Sequence, residues 1–451
     1  MSEPKKVDRR KFIYAGLGAV ALIAIGAAAY VAMNPPVVTQ TVTTSTTVPT
    51  TSVVTTTVTG TPTTSPTTTQ PYAKEIPYWQ KSRAVLFWYT CEIAAVKAAE
   101  ALGYKTTSTD AEGDPIKMND QMDALLARKP LAIVGNPIDG EAQAMAVRKA
   151  HRSGVPVGIV DTPISGYPAA VTVVYNNYEG GKTAAQTLIK LLEEKYGSTK
   201  GLKVAQFYGY LGSPAWRDRM EGFDAVMKEH PEIQHFKLPT EGTVEGISES
   251  CSAFLAQHPD VHGMHFMSQG PWLAEVLRQL EAKGLLYYRT HPKHIIITGI
   301  DGDPFAVYAT KRGWIDATIS QDPIAYSEIC VDVLHTEIIP KLPKVELLPV
   351  GYVYKKTEKY YWGKGALGLE MKAVDTPGGP TLYQPHYVID YKNVDSPLHW
   401  GIKIVKDFKV WDSLLERKFK AIGAPEPEEP WEPLFGLEPG TPLPPPGYKI
   451  F

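Results

Sequence analysis

Three cysteines are all that the 451 residues contain, and Cys91, Cys251 and Cys330 stand too far apart to form a CxxC pair. An odd number allows one bridge but no complete set, and the expectation is three small buried core residues. The chain has no HExxH or paired-CxxC metal motif and no Walker phosphate loop. Neither a catalytic zinc site nor nucleotide hydrolysis is therefore written into it, and no cofactor is expected. Excess charge is also lacking. Forty-six Lys and Arg face 48 Asp and Glu, a net charge of -2, which leaves no electrostatic footprint for nucleic acid.

What is present is the composition of a folded chain, 43% hydrophobic and 21% charged, long enough for two domains with additions. Lys5, Lys6, Arg9, Arg10 and Lys11 precede an uncharged apolar run from Phe12 to Met33. A helix of that length, rising about 1.5 Å per residue, spans a hydrocarbon core of about 30 Å. The basic flank stays inside and the remainder is exported. Residues 1–34 are read as an export signal and membrane anchor, secreted instead if cleavage occurs around Ala27 to Ala32. Arg9-Arg10-Lys11-Phe12 fits a twin-arginine signal as well as an ordinary signal anchor. Residues 35–71 are nearly all Thr, Val, Pro and Ser, with no charge and no apolar period. They predict an extended stalk.

From Arg83 onward, short apolar runs alternate with helical segments. Strands are predicted at Ala84–Tyr89, Leu131–Gly135, Val155–Val160, Lys203–Tyr208, Gly263–Met267 and Ile295–Ile300. Helices are predicted near 94–102, 140–153, 180–195, 214–229, 244–257 and 272–283. The alternation implies an α/β chain with two doubly wound parallel-sheet lobes. In such sheets ligands sit beyond the C-terminal ends of the strands. Polar residues collect there: Asn136, Asp161, Arg217 with Arg219, Gln269, Asp301 and Gln321. Their planar groups offer the paired donors and acceptors that adjacent hydroxyls of a sugar engage. Taken singly, Asp161, Asp301 and Gln321 read equally as helix caps or turn formers; as an ordered series of strand ends they read as a site.

The order of these pieces resembles the ribose and galactose group of type I periplasmic binding proteins. The resemblance rests on Gly135-Asn136-Pro137 with Asp139, and on Gly154-Val155-Pro156-Val157 leading to Asp161. It rests further on Tyr175-Asn176-Asn177 before Gly180-Gly181-Lys182, and on the Arg-x-Arg-x-x-Gly-Phe run from Arg217 to Phe223. Gly299-Ile300-Asp301-Gly302 with Gln321, and a tail from Tyr387 to Gly401, complete it. It implies two Rossmann-like lobes joined by a three-strand hinge, a sugar ligand, and delivery to an ABC permease with its ATPase subunits. It also implies that Asn136 and Asp161 bind from one lobe, and Arg217, Asp301 and Gln321 from the other lobe and hinge. Gln269 stands where the family usually has Asn. The first strand leads almost directly into helix, so Trp88 or Tyr89 would supply the stacking face, with Trp216 and Trp272 as further candidates. Thr-rich anchored stalks resemble those of archaeal surface proteins.

The expected organisation is a first lobe of 82–175 plus 322–345 and a second of 176–321 plus a tail strand near 385–392. An insertion at 346–384 and a C-terminal extension at 401–451 complete it. Rival readings are a sugar- or furanosyl-signal-sensing receptor subunit, and a nucleoside- or polyol-binding protein. A glycosidase acting through Asp161 and Asp301 is the enzymatic alternative, but no activated nucleophile or acid stands out, and no enzyme is expected.

Overall fold

The computed structural model describes residues 72–363, 366–423 and 430–441. The expected anchor at 1–34 and stalk at 35–71 lie outside the described residues. Within the compact unit from Thr69 to Phe451, the chain opens with β1 (Tyr78–Gln80), α1 (Leu86–Ala101), α2 (Pro115–Leu126), β2 (Ile133–Asn136), α3 (Ala144–Arg152), β3 (Val157–Val160) and β4 (Val171–Tyr175). It continues with α4 (Asn177–Tyr196), β5 (Lys203–Tyr208), α5 (Pro214–Met227), β6 (Gln234–Pro239), α6 (Val244–Gln257), β7 (Gly263–Phe266), α7 (Pro271–Ala282) and β8 (Ile296–Asp301). Next come α8 (Pro304–Arg312), β9 (Ala317–Ser320), α9 (Pro323–Val333), β10 (Val353–Tyr354), β11 (Met371–Thr376), β12 (Gly379–Gln384), β13 (Val388–Asp390) and α10 (Trp400–Lys406).

Two sheets result. One has seven strands in the order β1-β2-β3-β4-β12-β11-β10, the other six in the order β13-β9-β8-β7-β5-β6. Most neighbours run parallel, and their strands are buried apolar runs because helices cover both faces. Antiparallel pairing enters at β10–β11–β12 and at β13–β9, so both sheets are mixed. Together they form the two-lobed α/β fold.

The first predicted strand is corrected. Ala84–Tyr89 runs into helix α1, and the strand that pairs with β2 is Tyr78–Gln80, ahead of residue 82. The cause is local. Leu86 to Tyr89 are all partly buried and Thr90 to Ala95 are buried, so this turn of helix is apolar without a helical period. A short apolar run of that kind reads as a strand. The segment 346–384 supplies β10, β11 and β12, and β12 pairs in parallel with β4 inside the seven-stranded sheet.

The crossing of the chain between sheets is what builds a cleft. It passes from β4 to α4, from β9 to α9, and from β12 to β13. The C-terminal ends of β2, β3 and β4 therefore face those of β5, β7 and β8 across three connecting segments. Past β13, α10 packs on α8, and Trp400, Trp411 and Phe435 are buried in the same core as the second sheet. Residues 420–422 bond back to Glu281, Leu286 and Tyr288. Part of the expected extension at 401–451 is thus folded against the second lobe.

Candidate functional site

Helix capping separates the polar strand ends into two groups. Asp303 caps α8 through the Ala306 amide and Asp322 caps α9 through the Ile324 and Ala325 amides. These neighbours take the capping role that sequence allowed for Asp301 and Gln321. Asp301 and Gln321 are thereby left for the cleft.

At the second lobe a buried network forms around Arg219. Its guanidinium donates to Asn177 Oδ1 at 2.8 Å, to the Met267 carbonyl at 2.6 Å and to Asp301 Oδ1 at 3.3 Å, and it also donates to Gln321 Oε1. The other oxygen of Asp301 accepts from Ser268 Oγ at 2.6 Å and from the Gln269 amide at 3.2 Å. Burial raises the Asp301 carboxyl above its ordinary range, and Arg219 with these donors opposes the shift. The Tyr175 ring lies under the guanidinium, 5.7 Å from Cζ. Burial pushes its phenol up as well, and its hydroxyl has no partner among the described residues.

Arg219 reaches this position because α4 and α5 touch backbone to backbone. A Cβ on Gly181 would lie 2.1 Å from the Arg219 carbonyl oxygen, and one on Gly222 would lie 2.0 Å from that of Tyr178. Only glycine permits that approach. Arg217, the predicted ligand residue, is exposed in the first turn of α5, beyond the C-terminal end of β5, and outside the Arg219 network.

The first lobe presents Asn136 and Asp161. Asn136 ends β2 with its side chain fully buried, and neither its amide oxygen nor its amide nitrogen has a partner among the described residues. A buried amide left with neither end bonded is costly unless a ligand or water completes it. Asp161 follows β3 at φ 64°, a left-handed conformation that aims its carboxylate across the strand ends. Lys81, just past β1, bonds Asp161 Oδ2 at 2.7 Å and Thr162 Oγ1 at 3.0 Å. The Trp88 ring lies 4.4 Å from the Lys81 ammonium. Tyr89 packs against the main core.

Gln269 is turned inward. Its amide oxygen accepts from Thr318 Oγ1 and from the Gly302 amide, and its side chain fills the space above Gly299. Its amide nitrogen has no partner among the described residues. Trp216 and Trp272 meet edge to face at 5.0 Å, at the starts of α5 and α7, past the C-terminal ends of β5 and β7, the strand end at which Asp301 closes β8.

The structure therefore gathers Asp301 and Gln321 in one network and places Asn136 and Asp161 at the C-terminal ends of the neighbouring strands β2 and β3. It leaves Arg217 at the rim and folds Gln269 beneath the network. Sequence reasoning missed Lys81, Tyr175, Asn177 and Ser268 as members of the site. Lys81 was hidden by the misplaced first strand; Asn177 and Arg219 lay within the motifs already singled out.

Among the described residues no group of three or more His, Cys, Asp or Glu could hold a metal ion. Two lobes, hinge crossings and polar groups facing inward from both sides define a protein that closes on a small polar solute. The family model described as a periplasmic binding protein domain matches residues 71–339; the chain belongs to that family, and it is a binding protein, not an enzyme. It is similar to the ribose import binding protein of Bacillus subtilis (strain 168), with 26% identity over 56% of this chain and 80% of that protein. It is also similar to the D-apiose import binding protein of Paraburkholderia graminis, with 28% identity over 49% of this chain and 68% of that protein. Among solved structures, an ABC transporter periplasmic solute-binding protein from Actinobacillus succinogenes 130z with bound D-allose superimposes with a TM-score of 0.55. It shares 18% identity and covers 71% of this chain and 98% of that one.

Proposed function

We propose that this protein captures a neutral sugar of pentose or hexose size between its lobes, outside the cell, and delivers it to an ABC permease whose ATPase is a separate chain. The observation that carries the reading is Asn136. Its side-chain amide is buried with neither end bonded among the described residues, at the C-terminal end of β2 in the first sheet. A ring of adjacent hydroxyls satisfies such an amide at both ends at once. Asp161 binds from the same lobe, with Lys81 balancing its charge. Asp301, Gln321 and the rim residue Arg217 bind from the other lobe, while Gln269 supports Asp301 through its backbone amide. Trp88 and Tyr89, or Trp216 and Trp272, pack on the apolar face of the ring. The two paired charges, Lys81 with Asp161 and Arg219 with Asp301, leave the inner site without net charge and favour an uncharged ligand. The names of the relatives, which carry ribose and D-apiose, support a sugar.

Capture proceeds by closure, since only contacts made from both lobes favour the closed state. Residues 1–34 anchor the molecule in a membrane of archaeal type and 35–71 hold it clear of the surface. The first lobe is built around 82–175 and 322–345, with β1 and β10 to β12 completing its sheet, and the second around 176–321 with the strand near 385–392. The test is a thermal-shift screen of the unit from Thr69 to Phe451 against pentoses, hexoses, polyols, disaccharides and nucleosides. A ligand that binds only the folded state raises the melting temperature with the logarithm of its excess over Kd. A rise with one or a few monosaccharides is expected; a response confined to nucleosides would overturn the sugar assignment.

A further inference from the structure

Beyond β13 the chain returns to the wall of the cleft. Trp400, at the head of α10, is fully buried and donates its indole N–H to the backbone carbonyl of Asp301 at 2.7 Å. That carbonyl belongs to a residue at φ 128°, a conformation that a residue with a Cβ holds only when its surroundings impose it. The same carbonyl accepts from the Gln321 amide at 3.0 Å. Gly401 follows so closely that a Cβ there would lie 2.6 Å from the Gly302 oxygen, so the start of α10 is pressed against the Asp301–Asp303 turn. The ring of Trp400 is used as well. Phe87, from the start of α1 in the first lobe, meets it edge to face at 5.8 Å, and also meets Tyr326 at 6.2 Å.

We infer that Trp400 is a positioning residue for ligand capture: its N–H fixes the strained backbone of Asp301 so that the carboxylate points into the cleft, and its ring receives Phe87 when the lobes close. The inference rests on the reading of Asp301 as a ligand-binding residue. Its physical content is a lever. Freed from the indole, the residue at 301 relaxes toward the extended region, and its carboxylate swings away from Ser268, the Gln269 amide and Arg219. Without the ring, closure loses an apolar contact formed between lobes, which is the kind of contact that sets the closed population. The part of the chain that follows the last strand thus shapes the site, although it lies outside the matched domain at 71–339.

The experiment uses the full chain in detergent and the variants Trp400→Phe, Phe87→Leu and Asp301→Asn. Two readouts are taken. The first is ligand-free amide exchange at Gln269, whose N–H reports the placement of the Asp301 carboxylate. The second is the affinity and release rate of D-ribose, D-apiose and D-allose. Trp400→Phe keeps an aromatic ring, though a smaller one, and removes the N–H. It is expected to speed Gln269 exchange at least ~10-fold, leave exchange in α4 unchanged, and weaken the bound probe ~10-fold through faster release. Phe87→Leu is expected to speed release several-fold with Gln269 exchange unchanged; it carries the test if Trp400→Phe does not fold, and wild-type release would then overturn the inference. If Asp301→Asn binds as wild type does, the site reading fails and the inference falls with it. If Asp301→Asn loses binding while Trp400→Phe keeps wild-type exchange and affinity, the positioning role alone is overturned. If no probe binds any variant, the exchange rate decides: an unchanged Gln269 amide overturns the role, and a faster one supports it.

Discussion

Lys81 and Asp161 form an ion pair of 2.7 Å across the ends of β1 and β3, with side chains only 9% and 14% exposed. Removing one partner strands the other charge in a poorly solvated place. Lys81→Met is expected to destabilise the protein by about 1–3 kcal/mol, read as a lower denaturant midpoint. The double variant Lys81→Met with Asp161→Leu should recover most of that loss. An unchanged midpoint in the single variant would show that the pair contributes nothing.

Asp301 separates stability from function. Burial raises its folded pKa above the unfolded value. The folded state therefore holds its proton more tightly, and this group's stabilising contribution is present below the unfolded pKa and lost as pH rises through the folded one. At neutral pH the empty site gains nothing from ionising it. Asp301→Asn is expected to weaken sugar binding about 10- to 100-fold, the worth of a charge-assisted hydrogen bond. The melting temperature of the ligand-free protein should change little, because relief from burying a carboxylate is offset by Arg219 losing its charged partner. Calorimetric titration and a melting curve on the same sample check both; a large fall in melting temperature would contradict the account.

The junction between the second lobe and the C-terminal segment is expected to lose stability in alkali. Burial, then the Asp412 carboxylate, pushes Asp303 up to about 8, while burial pushes Asp412 and Asp322 up to about 6. Each contributes stability that is complete below the unfolded carboxyl value and lost as pH rises through the folded one. Three histidines, His265 and His399 buried and His151 half-buried, act in the opposite sense. Burial lowers His151 and His399 to about 4 and His265 to about 3. Their contribution is lost as pH falls below the unfolded value, about 6.5, and is complete above it. Between about pH 6.5 and 8.5 Asp303 is the group in transition. The melting temperature is expected to fall across that window, and Asp303→Asn, which keeps the helix cap, should flatten the fall.

Gly181 controls how close α5 lies to α4. A methyl there would sit 2.1 Å from the Arg219 carbonyl oxygen. Gly181→Ala is expected to cost about 1–3 kcal/mol by overpacking and to weaken sugar binding by shifting Arg219. Gly197→Ala, at a left-handed helix end (φ 72°) with nothing within 4 Å of the added methyl, strains the backbone alone, so it should cost stability and leave sugar binding unchanged. Equal behaviour of the two variants would remove the close-contact explanation.

All three cysteines are free and buried. Burial pushes the Cys251 thiol up to about 12 and raises those of Cys91 and Cys330 further from reactivity. Reductant is expected to leave the melting temperature unchanged. Iodoacetamide at pH 8 should label none of the three in the native protein and all three in denaturant, counted by intact mass.

Most of the second lobe was legible because its central strands are short apolar runs closed by polar residues, whereas the edge strand β6 is largely exposed, shows no apolar run and was not read. Lys203–Tyr208 and Val244–Gln257 have the limits that their patterns imply. The start of the first lobe was not. Tyr78–Gln80 is only three residues long, too short to show alternation, while the apolar head of α1 imitates a strand. Arg217 and Arg219 illustrate the limit for the site. Both belong to one motif, and which of them enters the buried network is decided by the glycine contact between α4 and α5. The strands of 346–384 were missed for a different reason: β12 pairs with β4, a partner far away in sequence, and no local pattern encodes that register.

That last strand has a consequence for synthesis. Thr381 pairs with Thr172 and Gln384 with Tyr175, so the middle of the first sheet waits for chain made after the entire second sheet except β13. Contacts so distant along the sequence form late, because loop closure must precede them. Trp400 arrives later still. A growing or prematurely ended chain can fold pieces of either lobe but owns no complete cleft, so solute capture belongs to the finished molecule and stalled fragments do not sequester the ligand.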